Sequence, residues 1–388
     1  MRSWFASLRF RWFIATNTLP YTADYLDRVY KIYLNHNKII HYRDGRPVYS
    51  LSAPAIFSKP AAHFFARSLY KTIQNKNTPN MMSFAINDEC NAVCKHCSFF
   101  AGVDDKSRTV LTLVQAQKAI VDAQEFGVSV INIVGGEPLL RPDLMELLSS
   151  IDKDASTVLM FTNGWLLAEK AQQLKKSGLD SVYVSIDAAD AEEHDRLRGK
   201  KGLFQKGMEG IIAAKRAGLS VGISSCITPE SYQKGEFQRI VELGKRMGVH
   251  EVLIFDAMPT GRFQGRKDLV DNNDWVEEML QKSIPYHTDY SYPGVLLWPY
   301  ATSHRSVGCS CGTSYFYLSP YGDMMSCDFN HKPFGNILER PLYQLWEQMT
   351  SMKDFECAKW GGCKIKSAES RSHDTVSAGR GGCAGCAS

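Results

Sequence analysis

Three cysteines stand at positions 90, 94 and 97, in the stretch CNAVCKHC. Cysteine thiolates bind zinc ions and iron–sulfur clusters, and a closed structural site takes four ligands of this kind. Three thiolates therefore leave one coordination position that this motif does not fill. Two simpler interpretations stay open: a zinc site that also uses His96, and three buried cysteines without a metal.

Seven of the eleven cysteines lie in residues 309–386. Cys311, Gly322 and Cys327 are spaced as C-x10-G-x4-C, and the glycine allows a tight hairpin that brings both thiolates to one site. The further candidate metal ligands are Cys357, Cys363, Cys383 and Cys386. Clustered cysteines in a reducing compartment bind metals more often than they form disulfides. We therefore expect a second metal site, either an iron–sulfur cluster or a structural zinc ion.

The composition is that of an ordinary folded protein of 388 residues. Hydrophobic residues make up 44% and charged residues 22% of the chain, which excludes wholesale disorder. No apolar run reaches the length of a membrane span, and Arg9 and Arg11 interrupt what would be the apolar part of a signal peptide. We therefore expect a cytoplasmic protein.

The basic residues concentrate in residues 1–80, which contain twelve Lys and Arg against three Asp. A helical pattern over residues 1–13 predicts a short basic amphipathic helix, and a second pattern runs from residue 22 to residue 33. The stretch IIHYRDGRPVYSL then predicts a β-hairpin that turns at Asp44 and Gly45.

From Met81 onward, short β-branched strands alternate with longer helical patterns. Strands are predicted at residues 82–86, 129–134, 156–161, 181–186, 220–226 and 250–255. Helices are predicted at residues 112–126, 142–150, 166–177, 203–217 and 235–247. This alternation predicts a parallel sheet with right-handed crossovers, closed in part as a (β/α)6 barrel. Cys226, on the fifth strand, is interpreted as a small buried side chain.

We therefore predict an α/β protein in four parts. Residues 1–80 are an N-terminal α+β extension, 81–265 the barrel, 266–300 a connector and 301–388 a small irregular cysteine-rich domain. The first cysteine motif directly follows the first barrel strand. It should lie at the carboxyl ends of the strands, where barrels of this kind keep their chemistry.

The stretch CNAVCKHC resembles the C-x3-C-x2-C motif of the radical S-adenosylmethionine (radical SAM) superfamily, with His96 in place of the usual aromatic residue. Further motifs follow in the order that the superfamily shows: VGGEPLL, FTNG, VSID, HDRLRG and MPTGR. The resemblance covers residues 81–265. It implies a [4Fe–4S] cluster on Cys90, Cys94 and Cys97 that binds S-adenosylmethionine at its fourth iron.

The resemblance also implies which residues contact S-adenosylmethionine. Gly135, Gly136 and Glu137 would receive its amino group, because the glycines allow close approach and a carboxylate accepts hydrogen bonds from an ammonium. The turn of residues 258–262 would lie near the adenine. The remaining implied contacts are Asn163, Ser185, Asp187 and Arg198. Without the family, several of these side chains would be assigned to helix caps.

The carboxy-terminal pattern, continued by FGNILERPLYQLW, resembles the SPASM and twitch extensions that bind auxiliary iron–sulfur clusters in many radical SAM enzymes. A full SPASM domain would continue as C-x2-C-x5-C-x3-C, but Asp354 and Ser367 occupy two of those positions. We therefore expect one auxiliary cluster, or two with an open or non-cysteine position.

As the resemblance implies, a reductant such as flavodoxin or ferredoxin drives the cleavage of S-adenosylmethionine. The resulting 5′-deoxyadenosyl radical then takes a hydrogen atom from a substrate, so we expect an oxidoreductase. The sequence identifies no catalytic acid or base, since Tyr315 and Asp323 are equally well explained by local structure.

Three functions stay open. Modification of a peptide or protein is the common use of such extensions and is our preferred interpretation. The basic N-terminal helix favours a membrane lipid or an amphiphilic metabolite instead, with peripheral contact at the inner membrane face, although a helix packed on the barrel explains it as well. A non-catalytic iron–sulfur or zinc protein is the third, but it would have no use for Glu137 or Arg198. We expect no nucleic-acid partner.

Overall fold

The computed structural model describes residues 8–13, 15–16, 38–74, 76–99, 107–271, 274–302, 308–352 and 363. Within these residues the strands form a two-stranded hairpin and a ten-stranded sheet. The hairpin consists of β1 (His41–Arg43) and β2 (Arg46–Val48). It turns at Asp44 and Gly45, whose φ angles of 50° and 74° suit a tight hairpin turn, so the predicted hairpin is confirmed.

Six parallel strands, adjacent in chain order, form the middle of the large sheet. They are β3 (Met81–Ala85), β4 (Val130–Val134), β5 (Thr157–Thr162), β6 (Ser181–Ser185), β7 (Ser220–Ile227) and β8 (Glu251–Asp256). Each predicted strand is confirmed to within one residue at either end. The agreement follows from short Val- and Ile-rich runs between turn residues, which suit strands buried on both faces.

Helices pack against these strands. They are α1 (Lys59–Gln74), α2 (Leu113–Glu125), α3 (Leu144–Ser149), α4 (Leu167–Lys176), α5 (Ala191–Arg198), α6 (Leu203–Arg216), α7 (Pro229–Gln233) and α8 (Glu236–Met247). The five predicted barrel helices are confirmed to within two residues. Side-chain caps mark where helices begin: Thr112 accepts the amide hydrogen of Gln115 at α2, and Asp190 accepts that of Glu193 at α5.

Further strands extend the sheet on both sides. β9 (Gly294–Leu297) pairs in parallel with β8 and comes from the segment predicted to be a connector. On the other side β10 (Tyr315–Leu318) pairs in parallel with β3, and β11 (Asp323–Cys327) and β12 (Asn330–Asn336) continue antiparallel. The other helices are α9 (Asp268–Asp271), α10 (Asp274–Ser283), α11 (Trp298–Ala301) and α12 (Leu342–Thr350). The carboxy-terminal region thus joins the sheet beside the strand that leads to the cysteine motif.

The hairpin of the N-terminal extension closes one end of the barrel. Leu51, just after β2, is fully buried and packs in one cluster with Leu159, Tyr183 and Leu253 from three barrel strands. Glu251, the first residue of β8, accepts hydrogen bonds from the Leu51 amide over 2.7 Å and from the Tyr183 hydroxyl. Burial raises the pKa of Glu251 to about 7. These contacts lie at the amino ends of the strands, opposite the cysteine motif.

The N-terminal helix predicted over residues 1–13 is described in part, since residues 8–13 and 15–16 are helical. Phe10 is fully buried and its ring centroid lies 6.1 Å from that of Tyr49, so this helix packs on the hairpin layer. The second predicted helix, residues 22–33, lies outside the described residues. No helix in the described part of the chain combines the length and apolar character of a membrane span.

Replacing Leu51 tests the packing of the hairpin. Leu51→Ala should lower the free energy of unfolding by about 2–5 kcal/mol, because it leaves a cavity between the hairpin and the barrel. Leu338→Ala, at a leucine that is 56% exposed, is the matched control. The control should change the free energy of unfolding by no more than ~0.5 kcal/mol. Urea-unfolding curves measure both, and equal effects would contradict the described packing.

Candidate active site

The cysteine motif lies between β3 and α2 and borders a cavity of about 240 Å³. The predicted site residues that line this cavity are Cys90, Cys94, Cys97, Gly135, Gly136, Glu137, Asn163, Ser185 and Arg198. The cysteines, residues 135–137 and Asn163 follow the strands β3, β4 and β5, whereas Ser185 is the last residue of β6 and Arg198 the last residue of α5. Because parallel strands end at the same edge of a sheet, residues far apart in the chain meet here.

The three thiols border one cavity and influence one another's ionisation. Burial raises the pKa of Cys90 and of Cys97 to about 11, and the nearby Cys94 thiol adds to both increases. In the described part of the chain no group of three His, Cys, Asp or Glu side chains is arranged to hold a single metal ion. A cluster is different, because its cysteines bind separate irons. Three cysteines around one cavity therefore fit a [4Fe–4S] cluster, whose assembly would release the thiol protons.

Gly135 and Gly136 bring the turn after β4 against the segment that precedes the cysteines. Gly135 has a φ of 148°, a backbone conformation that favours glycine. A Cβ atom on Gly136 would stand 2.1 Å from the Glu89 carbonyl oxygen. The Glu137 amide donates to the same oxygen over 2.6 Å. The two glycines thus permit a close backbone contact that holds the start of the cysteine loop.

Glu137 is almost completely buried at the cavity wall and joins the turns after β4 and β5. Its carboxylate accepts hydrogen bonds from the Thr162 hydroxyl at 2.6 Å, the Asn163 amide at 2.8 Å and the Leu139 amide at 3.2 Å. Burial raises the pKa of Glu137, although these hydrogen bonds oppose the increase. A carboxylate offers about four lone-pair positions, so one remains that could accept a hydrogen bond from an ammonium group.

Asp187 is also predicted to contact the cofactor, but it lies behind the cavity wall. Its Oδ2 atom accepts from Arg198 Nε at 2.6 Å and lies 3.2 Å from His96 Nε2, while Oδ1 accepts the Cys226 amide hydrogen at 3.0 Å. Although burial opposes it, the Arg198 guanidinium and His96 hold the pKa of Asp187 well below its usual range. This geometry suits a residue that positions Arg198, whose Nη1 reaches to 3.8 Å from Cys94 Sγ.

A second group of thiols lies where the segment before β10 is beside the end of β11. The Cys311 thiol is hydrogen-bonded to those of Cys309 and Cys327, and these thiols, together with burial, raise its pKa well above the usual range. Cys311 and Cys327 were predicted ligands, whereas Cys309 was missed, although the C-x-C spacing of CSC was a signal for it. Three neighbouring thiols, two of them buried, fit an iron–sulfur cluster. Of the other predicted ligands, Cys363 is described only as an isolated residue, and Cys357, Cys383 and Cys386 lie outside the described residues.

Asp328 is a cavity residue that the sequence did not reveal. It directly follows Cys327, lines the cavity with Tyr317, and has a pKa raised by burial. The Tyr315 hydroxyl donates to its carboxylate and lies 2.6 Å from Ser83 Oγ. Asp323, in contrast, forms an ion pair with Arg108 at the other end of β11 and has a local structural role.

The assignment of Glu137 can be tested by Glu137→Gln. The amide replaces one acceptor oxygen with a donor and removes the charge that would attract an ammonium. We expect the dissociation constant for S-adenosylmethionine to rise by roughly 10- to 100-fold, as for a lost charge-assisted hydrogen bond. Equilibrium dialysis with reconstituted enzyme measures it. Glu146→Gln, at an exposed glutamate of α3, is the control, and equal affinities in both variants would remove Glu137 from the site.

The radical SAM superfamily model matches residues 85–243, and an iron–sulfur cluster-binding (SPASM) domain matches residues 309–371. Sequence relatives include the AdoMet-dependent heme synthase of Nitratidesulfovibrio vulgaris, 28% identical over 302 residues that cover 72% of this chain and 81% of that enzyme. The GTP 3′,8-cyclase of Alkaliphilus oremlandii is 29% identical over 219 residues, which cover 55% of this chain and 68% of the cyclase.

Solved structures share the fold. SuiB of Streptococcus suis bound to the precursor peptide SuiA has a TM-score of 0.59 and 15% identity, covering 79% of this chain and 76% of SuiB. Native anSMEcpe with bound AdoMet has a TM-score of 0.55 and 16% identity, covering 71% of this chain and 82% of anSMEcpe. The two matching domains imply a [4Fe–4S] cluster, S-adenosylmethionine, auxiliary clusters and a reductant. The chain therefore belongs to the radical SAM superfamily and is a radical SAM enzyme with a C-terminal SPASM domain.

Proposed function

We propose that the enzyme oxidises a peptide or protein at a carbon atom held in the cavity that Cys90, Cys94 and Cys97 border. The proposal is based on the two parts of the chain that supply the residues lining the cavity. Cys90, Cys94 and Cys97 contribute on one side, and Tyr317 and Asp328 contribute from the carboxy-terminal region. A substrate in the cavity would touch both parts of the enzyme at once.

When bound, the cofactors would supply a 5′-deoxyadenosyl radical able to remove a hydrogen atom, and an acceptor for one electron. The oxidation balances when the substrate carbon loses that hydrogen atom and one electron, and a neighbouring substrate atom loses a proton. Asp328 is the proposed proton acceptor, because this residue lines the cavity and burial raises its pKa above that of a carboxylate in water. The hydrogen bond from Tyr315 orients that carboxylate.

A peptide substrate is supported by proteins of the same fold. SuiB was solved with a precursor peptide, and anSMEcpe with AdoMet and the Cp18Cys peptide. In this chain the described residues 38–74 pack against the amino ends of the barrel strands. We therefore place recognition of the peptide at the open end of the barrel, beside the cavity.

A small molecule that carries carboxylates is a second candidate. Two of the relatives at 28% identity are AdoMet-dependent heme synthases. Arg198 and Arg262 both line the cavity, and a guanidinium pairs well with a carboxylate.

A lipid substrate is less well supported, because of where the exposed N-terminal surface lies. Leu8 and Trp12 are 45% and 72% exposed, on the helix whose Phe10 packs on the hairpin layer. That layer closes the end of the barrel opposite the cavity. A membrane bound to this surface would not present lipid to the cysteine loop.

Transfer of deuterium identifies the class of substrate. Extract from source cells grown in deuterated medium is separated into peptides, lipids and small acidic molecules. Each fraction is incubated with anaerobically reconstituted enzyme, unlabelled S-adenosylmethionine and dithionite, and mass spectrometry measures deuterium in 5′-deoxyadenosine. We expect label from the peptide fraction. Label from the small acidic fraction alone would select the second candidate, and label from the lipid fraction alone would contradict both.

Asp328→Asn tests the proposed proton acceptor, with the labelled peptide fraction as substrate. An amide cannot accept the proton, so the ratio of oxidised product to 5′-deoxyadenosine should fall roughly 100-fold, the size of a general-base contribution. Asp154→Asn, at an exposed aspartate, should leave the ratio unchanged. A ratio in Asp328→Asn equal to that of the parent would assign the proton to another group.

A further inference from the structure

We propose that Arg262 positions the loop of Cys90, Cys94 and Cys97 and raises the reduction potential of the cluster bound there. This inference rests on the proposed role of the three cysteines, and it gives Arg262 a task that the family motif did not suggest. The sequence resemblance predicts instead that the turn containing Arg262 lies near the adenine of S-adenosylmethionine.

Arg262 is hydrogen-bonded to two of the three cysteines through their backbone. Its amide donates to the Cys97 carbonyl oxygen over 3.0 Å, and its Nη1 atom donates to the Cys94 carbonyl oxygen over 3.0 Å. Gly261 has a φ of 58°, and a Cβ atom there would stand 2.2 Å from the same Cys97 oxygen. The 3-10 turn Gly261–Phe263 therefore lies directly against the cysteine loop.

The turn is itself anchored on the carboxy-terminal region. Thr260 Oγ1 donates to the Phe329 carbonyl oxygen over 3.1 Å, and the Phe329 amide nitrogen lies 3.4 Å from Cys327 Sγ. The turn that contains Arg262 thus contacts the cysteine loop on one side and Phe329, next to the second group of thiols, on the other. A short chain of hydrogen bonds, through residues 260–262, links the two groups of cysteines.

The opposite side of the loop is held by α5. The Val93 amide donates to the Arg198 carbonyl oxygen over 3.0 Å, and the Lys95 amide donates to that of Leu197 over 2.9 Å. The charge of Arg198 is offset by Asp187, 2.6 Å from its Nε atom. The loop therefore lies between two arginines, and backbone hydrogen bonds restrain it from both directions.

The charge of Arg262 has a predictable effect on the cluster. Reduction adds one negative charge to the cluster, and a nearby guanidinium attracts the reduced form more strongly than the oxidised form. Charges and hydrogen bonds around the ligands are known to set cluster potentials. Arg262 should therefore make the cluster easier to reduce, which is the step that precedes cleavage of S-adenosylmethionine.

The test is the midpoint potential of this cluster in the full-length reconstituted enzyme, measured by EPR-monitored titration without S-adenosylmethionine. The signal is assigned to the site cluster by its change when S-adenosylmethionine is added afterwards. Arg262→Gln should shift the potential to more negative values, and Arg262→Lys, which keeps the charge, should shift it less. Arg266→Gln is the control, because Arg266 lies four residues along the chain in ion pairs with Glu230 and Asp268, and it should cause no shift.

Two outcomes would overturn the inference. One is a potential in Arg262→Gln that equals that of Arg266→Gln. The other is an unchanged potential combined with weaker binding of S-adenosylmethionine, which would make Arg262 a cofactor contact only. If Arg262→Gln lacks the signal that responds to S-adenosylmethionine, Arg262→Lys is measured instead, and a midpoint potential above that of the parent would overturn the inference. A signal that still responds to S-adenosylmethionine in Cys94→Ala would instead refute the cysteine assignment and leave the contacts of Arg262 as described.

Discussion

The loop that carries Cys90, Cys94 and Cys97 has no helix or strand of its own, and the rest of the site depends on how it is restrained. Its backbone is bonded to the turn after β4, to the end of α5 and to the turn after β8. None of these elements adjoins the loop in sequence. The cysteines therefore acquire their arrangement only when the barrel has brought these three distant elements together.

The two ends of the barrel are built for different tasks. At the amino ends of the strands, the hairpin, Tyr183 and Glu251 form a packed and hydrogen-bonded layer. At the carboxyl ends, glycines and short polar side chains leave a cavity bordered by thiols, carboxylates and arginines. β10 and β11 extend the same sheet, so the second group of thiols is fixed relative to the first by strand pairing rather than by a flexible linker.

The barrel could be predicted from the sequence because its signals are local. Short β-branched runs, helix caps and an Asp-Gly turn each act over a few residues, and the structure follows them closely. The cysteine motif was equally visible, since its three cysteines lie within eight residues. Asp328, Cys309 and the contacts of Arg262 were not foreseen. Their positions depend on pairing between β10 and β3 and on a turn some 165 residues beyond the cysteines, for which no local pattern exists.

Formation of 5′-deoxyadenosine by the anaerobically reconstituted enzyme, with S-adenosylmethionine and dithionite, tests the central claim most directly. The cysteines at 90, 94 and 97 are proposed to hold the cluster at which S-adenosylmethionine is cleaved. The parent enzyme should form 5′-deoxyadenosine, and Cys226→Ala, which removes a thiol outside the motif, should retain this activity. Cys94→Ala should lose it. Formation of 5′-deoxyadenosine by Cys94→Ala at the rate of the parent would contradict the account.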